Sequence, residues 1–252
     1  MTQPVVDDGR GSAVARWWAT VGLDARLQAR NKLYALGCGV GLISALLLVY
    51  LAGSEAIRPF LPAALTLHLG GTTCFFGSAL VLFEKSQGTL AAQRVSPLRL
   101  TEYQASKVAT LGTFAMVEGL VMLGVTQGLD FRPLPYVLGA LSLGAIYTLS
   151  GLILVAPHSS ITEFMVPNGI LLGTLVGIPV LPTLGVPGGD WWLLVPLTPQ
   201  ITLFEAALGP IDGWRWLYAL VGTGIELVVL WIWARRRFER HVIGVAFDGG
   251  RS

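Results

Sequence analysis

Two acidic residues in otherwise apolar stretches are the groups best placed to do chemistry: Glu118, within 108–129, and Glu226, within 216–234. A carboxyl group at the middle of a bilayer costs about 2.5–3.5 kcal/mol on insertion scales, so each must face protein or a cavity. There it can relay a proton or hold a cation, or it can pin helices together through hydrogen bonds. His68 lies in a third apolar stretch with no second ligand at i±4 and no cysteine or carboxylate on its face. That pattern fits a hydrogen-bonded interior histidine better than a metal ligand. Cys38 and Cys74 sit in separate apolar runs, too few for a disulfide framework or a zinc site, and no metal centre is expected.

Enzyme motifs are missing from the sequence. A P-loop needs G-x-x-x-x-G-K-[ST], whose backbone donors cradle phosphate while the lysine reaches the outer phosphates. The three lysines, Lys32, Lys85 and Lys107, follow Asn31, Glu84 and Ser106, so no Gly-Lys pair exists. An intramembrane serine protease would need G-x-S-G and a histidine on another span, but Thr148 precedes Leu149-Ser150-Gly151 and the last apolar stretch has no histidine. No H-E-x-x-H occurs either. Catalysis by this chain is not expected, and any ATP or magnesium would have to be bound by another polypeptide.

The elements that must carry these residues are membrane spans. Hydrophobic residues form 53% of the 252 residues and charged ones 13%, against about 25% charged in an ordinary soluble domain. So little charge cannot cover a water-exposed surface. The net charge of +2 carries no nucleic-acid signal. A spanning helix needs about 20 mostly apolar residues, and six windows qualify: 33–54, 59–83, 108–129, 133–157, 164–184 and 214–234. A seventh, 191–204, is too short and holds Pro196 and Pro199. It reads as a pair of short re-entrant or interfacial helices within 185–213, anchored by Trp191 and Trp192. The expected fold is therefore an all-α integral membrane protein with six transmembrane helices. With both termini in the cytoplasm, 14 of the lysines and arginines fall inside and only Arg58, Arg132 and Arg215 outside, as the positive-inside rule requires. No cleavable signal peptide is expected, since the first apolar run begins only at Leu33.

Cytoplasmic segments are then 1–32, 84–107 and 235–252. Residues 13–31 predict an amphipathic helix on the membrane surface, with Val14, Trp17, Trp18 and Val21 on one face and Arg16, Asp24, Arg26 and Arg30 kept polar. In the loop 84–107, residues 90–95 predict a short transverse helix with Thr89 as N-cap, ended by Ser96-Pro97. Thr101 and Gln104 match a capping box opening the helix of span three. Such a crosspiece could pass motion from a cytoplasmic partner into the membrane, or it could be an ordinary solvated hairpin.

The run Phe83-Glu84-Lys85, Gly88-Thr89-Leu90, Ser96-Pro97-Leu98 and then Lys107 resembles the cytoplasmic loop of ABC-2 type permeases. Residues 23–31, LDARLQARN, are similar to the amphipathic connecting helix of the same permeases, particularly the fluoroquinolone-export subgroup. Ser86 departs from the pattern, which usually has an acid there. The resemblance implies the membrane half of an ABC exporter in a bacterial plasma membrane. It would work as a homodimer or heterodimer of permeases with two separate cytoplasmic ATPase subunits, which would bind ATP and magnesium. It carries ATPase-coupling roles to Glu84, Gly88, Thr89, Pro97 and Lys107, with Leu90 and Arg94 on the coupling helix between them.

Span five presents Gly169, Gly173 and Gly177 at i, i+4, i+8, and span one presents Gly37 and Gly41. Such small-residue ridges let helices approach closely, within one subunit or between two; the resemblance places spans one and five near the dimer contact. Two other functions stay open at the level of sequence: a proton-coupled carrier using Glu118 and Glu226, and a membrane scaffold that transports nothing.

Overall fold

The computed structural model describes residues 13–89 and 98–240. Among them every regular element is helical. In chain order these are α1 (Ala13–Arg30), α2 (Leu33–Ala52), the single turn α3 (Ser54–Ile57), α4 (Leu61–Ser86), α5 (Leu100–Gln127), α6 (Pro133–Val155), α7 (Ile161–Val180), α8 (Thr198–Leu208) and α9 (Gly213–Phe238). Six of these segments are long and apolar enough to cross a bilayer, with α3 and α4 counting as one. The protein is an all-α, multi-pass membrane protein.

The bundle is built around α6. It contains no charged residue, and 72% of its most apolar window is buried, against 17% for α2 and α9. It packs on α4, α5, α7, α8 and α9. Glycine makes this possible: a Cβ on Gly144 would stand 2.7 Å from the Cα of Gly112 in α5, and one on Gly151 would stand 2.8 Å from Ser78 Oγ in α4. The outer helices turn Ile43, Leu51, Val166, Ile170 and Val228 outward, the arrangement expected where hydrocarbon is the solvent.

Both described ends of the chain lie on one side. Tyr103 near the start of α5 meets Phe238 at the end of α9, with ring centroids 5.7 Å apart, and α1 packs on α5 beside them. On the other side Arg58 ties three elements together. Its Nη1 donates to Gln127 Oε1 (2.9 Å) and Asp130 Oδ2 (2.5 Å), and its Nη2 to Leu208 O (2.9 Å). Between α7 and α9 the chain forms 3-10 turns at Leu181–Leu184 and Gly189–Leu194 and then α8, whose Gln200, Phe204 and Ala206 are fully buried.

Helix ends differ from the charge-free windows. α4 runs on to Ser86 and α5 begins at Leu100, so Glu84 and Lys107 belong to helices rather than to the loop between them. The charges on these helix ends are paired: Lys107 with Asp24 of α1 and with Glu84, and Glu84 also with Tyr103 of α5. Nor is the start of α5 a Thr101/Gln104 box: Glu102 Oε2 accepts the N–H of Arg99 at 2.9 Å, and Gln104 is fully buried. The predicted transverse helix at 90–95, with Leu90, Arg94 and Pro97, lies outside the described residues.

Candidate functional site

Three groups of buried polar side chains join the helices. The first lies on the α1 side. Lys107 Nζ donates to Asp24 Oδ1 of α1 at 2.8 Å and also to Glu84 Oε1 of α4. Ser106 Oγ donates to Asp24 Oδ2 (2.6 Å) and Tyr103 OH to Glu84 Oε2 (2.8 Å). All four carboxylate oxygens are therefore partnered, the condition under which buried charges are tolerated. Exposure is 2% at Lys107, 5% at Asp24 and 7% at Glu84. Next along α4, Lys85 turns the other way. Its Nζ donates to the carbonyls of Val155, Ala156 and His158 at 2.7–2.9 Å, closing the C-terminus of α6, where a helix leaves its last carbonyls unsatisfied and partly negative. Arg16 adds a further tie from α1, to Glu102 Oε1 at 2.8 Å. Gly88, just past α4, has φ +69°, a conformation that favours glycine.

This arrangement changes the picture of α1. Its polar stripe is divided: Arg26 and Arg30 are exposed, but the rest does not face water. Asp24 and Gln28 are buried against α5, where Gln28 Nε2 donates to Thr110 Oγ1 at 2.9 Å, while Val14 and Trp18 are exposed. Two of the residues assigned to coupling, Glu84 and Lys107, face each other and α1 rather than the surface.

The second group surrounds Glu118, fully buried in α5. Thr72 Oγ1 of α4 donates to Glu118 Oε2 at 2.7 Å, and His68 Nε2, one turn away, lies 3.0 Å from Oε1. An imidazole against a carboxylate can hold or pass a proton. α2 covers the pair with its glycines: a Cβ on Gly41 would meet Glu118 Cγ at 3.4 Å and His68 Nε2 at 3.5 Å, and one on Gly37 would run into the Phe114 ring. Gly37 and Gly41 thus pack within the chain. Gly169, Gly173 and Gly177 do not: a Cβ on any of them would meet nothing within 4 Å, so that ridge of α7 opens away from the bundle.

The third group holds Glu226 of α9. Its Oε1 accepts the N–H of Leu197 (3.1 Å) and its Oε2 the amide of Gln200 (3.0 Å), which also donates to Thr223 Oγ1 (3.0 Å). Leu197 precedes α8 and has φ +70°, so Glu226 caps a neighbouring helix at its positive end. Glu226→Leu orphans the Leu197 N–H, which costs about 1–3 kcal/mol, whereas Glu226→Gln keeps one acceptor oxygen. Thermal unfolding of the purified protein should rank wild type above Glu226→Gln and that above Glu226→Leu; a leucine variant as stable as wild type would remove the cap from the picture.

Sequence reasoning missed the partners: Asp24, Tyr103, Ser106, Thr72 and Gln200. A signal existed for the first group, since Asp24 and Gln28 on α1 stand at i, i+4 and Tyr103, Lys107 and Thr110 on α5 at i, i+4, i+7, two polar seams of helical period. Among the described residues no group of three or more potential metal ligands comes together.

Residues 15–246 match the model of the fluoroquinolones export permease protein family. Two proteins named fluoroquinolones export permease protein, from Mycobacterium tuberculosis strains CDC 1551 / Oshkosh and ATCC 25618 / H37Rv, are each 28% identical to this chain over 224 residues. Those residues cover 88% of this chain and 94% of each relative.

Proposed function

Because this chain belongs to the fluoroquinolones export permease protein family, we propose that it is the membrane subunit of an ABC-type exporter in a bacterial plasma membrane. It moves an amphipathic or hydrophobic compound outward and is powered by two separate cytoplasmic ATPase subunits that bind ATP and magnesium. A second permease copy or paralogue completes the pathway. The α1 side is cytoplasmic in this reading, which puts the arginine run Arg235-Arg236-Arg237 inside.

The observation that carries the reading is the Asp24–Lys107–Glu84 cluster. It locks the roots of the segment between α4 and α5 to α1, while Lys85 locks the same place to α6. An ATPase gripping that segment, with Gly88, Thr89, Leu90, Arg94 and Pro97 at the contact, would move four helices as one body. Glu84 and Lys107 act in this scheme as the anchorage, not as the surface that is gripped. Pumping further requires that substrate bind the inward and outward states with different affinity. A fluoroquinolone, named for the relatives, is the first compound to test.

Inverted membrane vesicles holding this chain and its ATPase should take up the compound with ATP, and uptake should survive an uncoupler. A second reading, a proton-coupled carrier, rests on the His68–Glu118 contact. It requires uptake without any ATPase, collapse with uncoupler, and loss in Glu118→Gln.

A further inference from the structure

On the α1 side of the bundle α7 and α9 splay apart over α6 and leave a cleft of about 270 Å³. Ile153, Leu171, Leu230 and Trp233 form apolar walls, and His158 and Arg237 stand at one end. Ile170, Val229 and Trp233 beside it are exposed, so the cleft opens sideways into the hydrocarbon rather than into a channel. We infer that this cleft binds one acidic phospholipid, an acyl chain lying between the helices and the headgroup phosphate held by Arg237.

Charge is what selects the occupant. The mouth of the cleft lies at the C-terminus of α6, where exposed carbonyls would repel an anion. Lys85 removes that repulsion by taking the carbonyls of Val155, Ala156 and His158. The nearby acid Glu163 is turned onto the N–H and hydroxyl of Ser159, both at 3.1 Å, and Glu239 pairs with Arg235 at 2.9 Å. His158 Nδ1 donates to Leu154 O at 2.8 Å, which spends the one N–H of the neutral ring and leaves the phosphate to Arg237. A guanidinium has five donors, so Arg237 can take a phosphate oxygen and keep a protein partner, and phosphate is the anion its fork geometry suits. Arg235, Arg236 and Arg237 close the last turn of α9, which sets this end of the cleft at headgroup depth. A zwitterionic lipid carries the same phosphate but brings a quaternary ammonium beside Arg235, Arg236 and Arg237, so its net electrostatic gain is smaller. The site requires neither the ATPase nor the export activity proposed above, so each can fail without the other.

The test uses the full chain in phosphatidylcholine nanodiscs, doped at equal low mole fraction with phosphatidylglycerol or phosphatidylcholine bearing brominated acyl chains. Bromine quenches tryptophan at contact, and Trp233 lines the cleft. Brominated phosphatidylglycerol should quench more than brominated phosphatidylcholine. That excess should be lost in Trp233→Phe and in Arg237→Gln and kept in Arg237→Lys. Arg237→Gln should still be quenched normally by brominated phosphatidylcholine, and Leu171→Phe, which narrows the cleft without touching charge, should also lose the excess. Equal quenching by the two lipids would mean an unselective lipid annulus and overturn the site, as would an excess that persists in Arg237→Gln. Displacement of the phosphatidylglycerol by soluble decanoate at lower concentration than by added phosphatidylglycerol would overturn the lipid assignment in favour of a soluble acid.

Discussion

Lys107→Leu should cost about 3–5 kcal/mol of stability, the usual penalty for removing one partner of a buried ion pair. The variant leaves Asp24 and Glu84 charged, buried and facing each other, each short of one hydrogen bond. Set against a typical total of about 5–15 kcal/mol, the loss should be visible as a large drop in thermal midpoint or as failure to accumulate in the membrane. The cause is separable from lost packing, because neutralising both acids in the same chain (Asp24→Asn, Glu84→Gln) should recover much of the stability. Tyr103 and Ser106 still donate to the amide oxygens after that change. Screening by salt should matter little, since these charges are hidden from solvent. A Lys107→Leu protein that melts with wild type, or a triple variant no better than the single one, would contradict the cluster.

Gly144→Val is the second change with a large expected effect. The added Cβ would be 2.7 Å from Gly112 Cα and 3.1 Å from Ala115 Cβ. Backbone and a methyl group on α5 cannot rotate away, so α5 and α6 must separate along the most buried helix of the bundle. Overpacking costs about 1–3 kcal/mol where side chains can adjust, and here they cannot, so the upper part of that range or beyond is expected in thermal unfolding. Gly173→Leu is the contrast. Its site is open within the chain, so monomer stability should hold, while the dimer proposed above should give way to monomer mass in native detergent. If Gly144→Val unfolds at the wild-type temperature, α5 and α6 do not cross there.

Six spans were legible because hydrocarbon imposes a length and forbids unpaired backbone, a demand that any 20-residue apolar window displays. The helix ends and their burial were less so: the charge-free window stops before Glu84, which is helical and buried, and Lys107, expected on the helix opening near Thr101, is buried as well. Lys107 is neutralised by Asp24 of α1 and Glu84 of α4, both distant in sequence and on other helices, and hydropathy contains no term for that. Separation in sequence also hid Thr72 and His68 from Glu118. The glycines separate in a similar way. Gly169, Gly173 and Gly177 form the most regular ridge in the sequence, yet among the described glycines the closest approach to a neighbouring backbone is Gly144 to Gly112, which share no spacing because they lie on different helices. The amphipathic reading of α1 found the helix but not its docking face, since Asp24 and Gln28 look like water-facing residues until their partners on α5 are known.

The central position of α6 also bears on how the chain is made. Two of its neighbours, α4 and α5, precede it in synthesis, and three, α7, α8 and α9, follow. A ribosome that has released only the first three spans has given Glu118 its partners on α2 and α4 but leaves the Gly112 face of α5 exposed to lipid, with no α6 to cover it. Such nascent chains should be recognised by membrane proteases or held by an insertion chaperone until α6 emerges, so translational pausing just before residue 133 would lower yield more than pausing after residue 155.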